Sequence, residues 1–265
     1  MKKPFRTLLL TAVTLCCLWG GCLARAEGVP DAVPAPKTEK VVTELSGLPN
    51  FLRDLKGITT SFCCPLDLEE AGRKSPAQAF GAAPEEGAAA VVRLYVRSDD
   101  TSADRLSFSG HAFLTVTNVS DGMLEVGGLN IAPGTAMTIG TRGNREEHTG
   151  IWYNLEGYYT YYIPDFYQNL CSIQVSLDAA QLEVFNRNLT RADKWSALTN
   201  CADFAAAMWN AVCADTLSAG CIPQPTVLRL DLLEKYPELA VQDPAVPYDY
   251  IVYYGLPAAP SQVYT

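Results

Sequence analysis

Between Ala89 and Leu177 the apolar residues come in short runs bounded by Gly, Asn, Asp and Ser, the pattern of strands joined by turns. Val91-Val92-Arg93-Leu94-Tyr95-Val96-Arg97 has the β-branched and aromatic content of a strand, and a polar loop from Ser98 to Arg105 follows it. The run Gly110-His111-Ala112-Phe113-Leu114-Thr115-Val116-Thr117-Asn118 predicts a second strand with His111 near its start. Ser120-Asp121-Gly122 reads as a hairpin turn that returns Met123 to Val126 as a third strand. Further strands are expected around Met137-Thr138-Ile139 and over Ser172 to Leu177. The period then changes. Asp178 is placed to cap a helix carried by Leu182, Phe185 and Leu189. A second, Ala-rich helix runs from Leu198 through Trp209, with Thr199 or Asn200 as its cap. Cys201, Ala205, Met208 and Val212 share one face of it, which is expected to lie on a core. Past Cys221 the chain is Pro-rich, with a helical turn near Leu228 to Tyr236 and a final apolar strand from Tyr248 to Tyr254. Strands first and helices later predict an α+β domain, an antiparallel sheet packed on the cysteine-bearing helix.

The N-terminal third has a different texture. Lys2, Lys3 and Arg6, an apolar run from Leu8 to Trp19, and Ala24-Arg25-Ala26 make the three parts of an export signal cut after Ala26. Gly20-Gly21-Cys22 offers a competing lipoprotein signal and an N-terminal anchor. Pro, Ala, Gly and Glu dominate much of the stretch from residue 27 to residue 88, which reads as linker and N-terminal extension. The expected organisation is therefore signal peptide 1–26, extension 27–88 and one domain over 89–265. The protein is expected to be secreted, periplasmic or on the cell envelope, with no integral membrane span.

The whole chain carries a formal charge of −9, and loss of the signal, with its four basic residues, would leave it more acidic. A phosphate backbone needs a basic face, so nucleic acid is excluded as an expected partner. Nine cysteines are present, of which Cys63, Cys64, Cys171, Cys201, Cys213 and Cys221 lie beyond the signal. Export permits disulfides, and Cys213 with Cys221, or Cys63 or Cys64 with Cys171, are plausible pairs. With two histidines and no Cys-x-x-Cys pair, neither a metal nor any other cofactor is expected.

A thiol in the first turn of a helix sits at the positive end of the helix dipole, a setting that lowers its pKa and favours the nucleophilic thiolate. Cys201 is the candidate nucleophile on that ground. A catalytic thiol needs a base in reach and a third group to orient the base. Only His111 and His148 supply an imidazole, and His111, at the start of a strand after Gly110, is the better placed. Either residue also has an ordinary structural role open to it, as a buried cysteine or a hydrogen-bonded histidine.

Gly110-His111-Ala112-Phe113-Leu114 on a strand, followed much later by Asn200-Cys201-Ala202-Asp203-Phe204 opening a helix, resembles the circularly permuted papain-like group. That group includes the permuted NlpC/P60 and lecithin:retinol acyltransferase-like proteins. The resemblance covers about residues 89 to 215 and implies a papain-like fold with Cys201 as nucleophile and His111 as base. It also implies a third polar residue on the strand after the histidine strand. A hairpin centred on Ser120-Asp121 would set Asn130 opposite His111, which makes Asn130 the first choice, Glu125 the next, and His148 a third if its loop folds back. The backbone N–H of Cys201 would contribute to an oxyanion hole. Asn200, Trp152 and Tyr153 are the candidate substrate-binding residues, the last two within an aromatic run that could offer flat faces to sugar or peptide.

The expected activity is that of a secreted cysteine peptidase or amidase, cleaving an amide bond in a peptide or in cell-wall peptidoglycan through an acyl-enzyme. Two alternatives stand beside it: a non-catalytic binding or envelope protein on the same fold, and a lipid amidase or acyltransferase.

Overall fold

The computed structural model describes residues 74–100, 109–143, 146–163, 165–249 and 251–265. The expected signal peptide, the extension up to residue 73, and Cys63 and Cys64 lie outside the described residues.

The β-branched and aromatic runs form the strands expected of them. β1 (Ala90–Arg97), β2 (His111–Asn118), β5 (Ala136–Arg142) and β7 (Leu170–Leu177) are the long members of one antiparallel sheet. With β6 (Gly150–Tyr153), β8 (Val241–Gln242), β9 (Tyr253–Tyr254) and β10 (Ala259–Pro260), its order is β10-β9-β6-β5-β2-β1-β7-β8. β1 and β2 pair over their whole length, from Ala90 opposite Asn118 to Arg97 opposite His111. The central strands are covered on both faces, which is why their sequences are nearly continuous in apolar residues instead of alternating.

The expected return strand after Ser120-Asp121-Gly122 does not pair with β2. β3 (Leu124–Val126) and β4 (Leu129–Ile131) form a separate two-stranded sheet, and β2 pairs with β5 instead. Two local causes redirect the chain. The Asn118 side chain accepts from the N–H of Ser120 and donates to the carbonyls of Gly122 and Ile131, closing the excursion at its base. The tight turn lies further on, at Gly127-Gly128, where both residues have positive φ, as a two-residue hairpin loop requires.

Four helices pack on the sheet among the described residues. They are α1 (Leu155–Tyr162), α2 (Ala179–Leu189), α3 (Cys201–Val212) and α4 (Pro225–Lys235). Asp178 caps α2 in a reciprocal arrangement with Gln181, each side chain accepting from the other's backbone N–H. α3 is buried on every side, not along one stripe, because it lies between the sheet and its neighbouring helices. Ala112, Leu114 and Val116 of β2 point into the large core that holds α3, while Phe113 points into an aromatic layer with Tyr95, Trp152, Tyr158 and Tyr159. The sheet thus separates an aliphatic layer from an aromatic one. Residues 74 to 88 run against this unit, with the Ser75 N–H on the Val212 carbonyl and Gln78 bridged to Gln174.

The expected disulfide between Cys213 and Cys221 is absent, since both thiols are free, as are those of Cys171 and Cys201. Among the described residues, no helix is long and apolar enough to cross a membrane.

Candidate active site

Asn200 opens α3. Its side-chain oxygen accepts from the N–H groups of Ala202 at 3.0 Å and Asp203 at 3.2 Å, while its amide donates to the carbonyls of Ala197 and Pro223. These bonds all go to protein backbone and the residue is buried, which places it as the cap of the helix. Cys201 follows as the first helical residue, 9% exposed.

The ladder between β2 and β5 stops at the Leu114–Ile139 pair, although β2 begins at His111 and β5 runs on to Arg142. The Cys201 thiol lies near this end of β2, close enough for the backbone N–H of Ala112 to favour its thiolate form. Its neighbour in sequence, His111, begins the same strand. The helix start and the histidine expected from the sequence are therefore both found at this end of β2.

His111 Nε2 lies 2.8 Å from Glu156 Oε1, and the ring stacks between Phe113 and Tyr167. Glu156 stands in the first turn of α1, where a carboxylate is favoured by the helix dipole, and it is 0% exposed. Its other oxygen accepts from the Thr138 hydroxyl at 3.1 Å. Gly140 leaves the room it needs, since a Cβ at that position would sit 2.4 Å from Glu156 Oε1. Arg142 completes the group. Its Nε is 3.5 Å from Glu156 Oε1, its Nη2 donates to the Tyr167 hydroxyl, and its guanidinium lies 5.2 Å from the centre of the Tyr159 ring.

Electrostatics follow from burial and these neighbours. Burial pushes the Cys201 thiol above its ordinary value and Glu156 adds to the rise; the Ala112 N–H, the Arg142 charge and the Ala202 N–H pull the other way without prevailing. The lowered thiol pKa expected from the helix start alone is thus overturned, because loss of solvation outweighs the dipole. Burial also works against the Glu156 carboxylate, yet the His111 hydrogen bond and the Arg142 charge hold its pKa below the usual value.

Several expected site residues lie elsewhere. Asn130 is exposed on β4 opposite Glu125, and the strand position facing His111 belongs to Arg97. The place beside the imidazole given to Asn130, then to Glu125, is occupied by Glu156. His148 is engaged apart from this group: its Nε2 is 2.6 Å from Asp193 Oδ1, and Asp193 also accepts from the N–H groups of Ile151 and Leu256. Trp152 and Tyr153 are fully buried in the two cores and offer no open face. Among the described residues, no group of three or more His, Cys, Asp or Glu is arranged to hold a metal ion.

Glu156 and Arg142 were not anticipated. One signal was present for the first: Glu156 is the sole charged residue between His148 and Asp165, a lone carboxylate inside an apolar and aromatic run. Comparison with known families, with curated proteins and with solved structures yields no match to this chain.

Proposed function

We propose that the chain is a thiol hydrolase of the permuted papain-like kind, acting on amide bonds in peptide or peptidoglycan. The observation that supports the reading is that a free thiol at a helix start and a carboxylate-bound imidazole both lie at one end of β2. Cys201 is the nucleophile, His111 the base and Glu156 the group that orients the base. With Nε2 facing Glu156, the nitrogen for proton transfer is Nδ1.

Because burial favours the neutral thiol, Cys201 rests protonated and needs a base. As sulfur attacks the substrate carbonyl, its proton passes to His111, and Glu156 stabilises the imidazolium that forms. The backbone N–H of Cys201, which the Asn200 cap leaves unused, would serve the developing oxyanion. The imidazolium then protonates the departing amine, and water, activated by the same histidine, releases the acid from the thioester. Export and action at the cell envelope belong to this same reading and rest on residues 1–26 of the sequence.

The raised thiol pKa and low exposure of Cys201 favour a second reading, a buried structural cysteine in a non-catalytic binding protein. Peptide-level iodoacetamide labelling separates the two. A hydrolase gives Cys201 modification that slows about a hundredfold in His111→Ala, the low end of what a positioned base contributes. Equal, slow labelling in both proteins supports the structural reading. Incubation of wild type and Cys201→Ala with peptidoglycan fragments and a peptide library, read by mass, then identifies the bond cleaved.

A further inference from the structure

Glu156 has two effects at this site that oppose one another. Its negative charge stabilises a protonated His111, and the same charge disfavours the thiolate that must form at Cys201. A carboxylate serving only the histidine would hinder the step that the histidine assists. Arg142 is placed to resolve the conflict. It is an ion-pair partner of Glu156, it is fixed from one side by the Tyr167 hydroxyl and from another by the Tyr159 ring, and its Nε makes no hydrogen bond of its own.

We propose that Arg142 is a positioning residue of this site, holding the Glu156 carboxylate beside His111 and offsetting its charge at the Cys201 sulfur. The inference rests on the thiol-hydrolase reading and adds to it the residue that makes a buried acid compatible with a thiol nucleophile. The charged and titratable groups that face the cluster are His111 from β2, Arg142 from β5, Glu156 and Tyr159 from α1, Tyr167 from the segment before β7, and Cys201 from α3. With neutral thiol and imidazole, the Arg142–Glu156 pair sums to zero charge. After the proton moves from sulfur to ring, the four groups still sum to zero. Without Arg142 the site carries one net negative charge in either state, and the thiolate is the form that suffers.

The test is the pH midpoint of Cys201 alkylation by iodoacetamide, followed peptide by peptide in the full chain. Arg142→Met is expected to raise the midpoint by about one pH unit, the low end of what a nearby opposite charge contributes. Arg142→Lys keeps the charge while losing the planar fork, and is expected to recover at least half of that displacement. Arg142→Gln is the second neutral variant, used with Arg142→Met so that loss of fold in one leaves the other readable by circular dichroism. A purely structural role would lower the melting temperature of the neutral variants and leave the midpoint where it is in wild type. A folded neutral variant with an unmoved or lowered midpoint overturns the proposal. Failure of the hydrolase reading looks different: Cys201 alkylation would be insensitive to His111→Ala while Arg142 is intact.

Discussion

Glu156→Gln tests the charge at the centre of the site without changing its shape. The glutamine oxygen can still accept from the Thr138 hydroxyl, 3.1 Å away in the wild type. What disappears is the counter-charge of a buried guanidinium whose Nε already lacks a hydrogen bond and faces Glu156 at 3.5 Å. Removing one partner of a buried ion pair costs about 3–5 kcal/mol, because the other charge remains desolvated and unpaired. That is a large part of the roughly 5–15 kcal/mol by which a folded domain is stable. With a urea dependence of about 3 kcal/mol per molar, suited to a chain of this size, the unfolding midpoint should fall by about 1–1.7 M. The assay is equilibrium urea unfolding at pH 7 followed by far-UV circular dichroism, with the slope checked for constancy. A midpoint within about 0.3 M of wild type would show that Arg142 finds solvent or another partner, and the account of a closed charge cluster would fail.

Acid unfolding should share this origin. The Glu156 pKa is held below its usual value against the cost of burial, so the carboxylate adds stability above the unfolded value near about 4.3, lost as pH falls through the folded value. Urea midpoints taken from pH 7 down to pH 3 should therefore drop more steeply for wild type than for Glu156→Gln. Asn200→Ala removes the cap of α3 and two further backbone bonds, and should cost about 1–2 kcal/mol in the same assay; a loss below about 0.5 kcal/mol would show that solvent replaces the cap. Gly140→Ala puts a methyl group 2.4 Å from Glu156 Oε1, and should cost about 1–3 kcal/mol while slowing Cys201 alkylation as His111→Ala does. Unchanged alkylation in a folded Gly140→Ala would mean that the carboxylate moves without disturbing the imidazole. Asp178→Ala breaks the reciprocal cap of α2 and is expected to lower stability by about 1 kcal/mol with no effect on Cys201 labelling, because α2 contributes no side chain to the cluster.

The elements that could be read from the sequence are those whose signals are local. Val91 to Arg97 and Gly110 to Asn118 declare strands through β-branched and aromatic residues; Asp178 and Asn200 declare helix starts through side chains that bond their own next turn. α1 gave no such notice. It is built largely from tyrosines around Gly157, poor helix formers, and its N-cap Asn154 lies in the left-handed region with no side-chain cap bond. It holds because Asn154 is tied elsewhere, accepting from the Thr138 N–H and donating to the Ile251 carbonyl. The strand partners were equally non-local. A turn at Ser120 to Gly122 suggests a hairpin with β2, but register is decided by which apolar faces find a core, and the long β5 supplies more of that than the three-residue β3.

By itself the sequence determined that His111 begins a strand and Cys201 begins a helix, because propensity and capping act over a few residues. It limited any imidazole partner of that thiol to two histidines, His111 and His148. Only the tertiary structure decided which acid sits beside the imidazole. Asn130 was placed there by extending a single hairpin, whereas Glu156 arrives from a helix on the aromatic side of the sheet and Arg142 from the strand next to β2. The charge of the thiol was decided there as well: a helix start favours thiolate, and burial between sheet and helices, which no short stretch of chain encodes, reverses that preference.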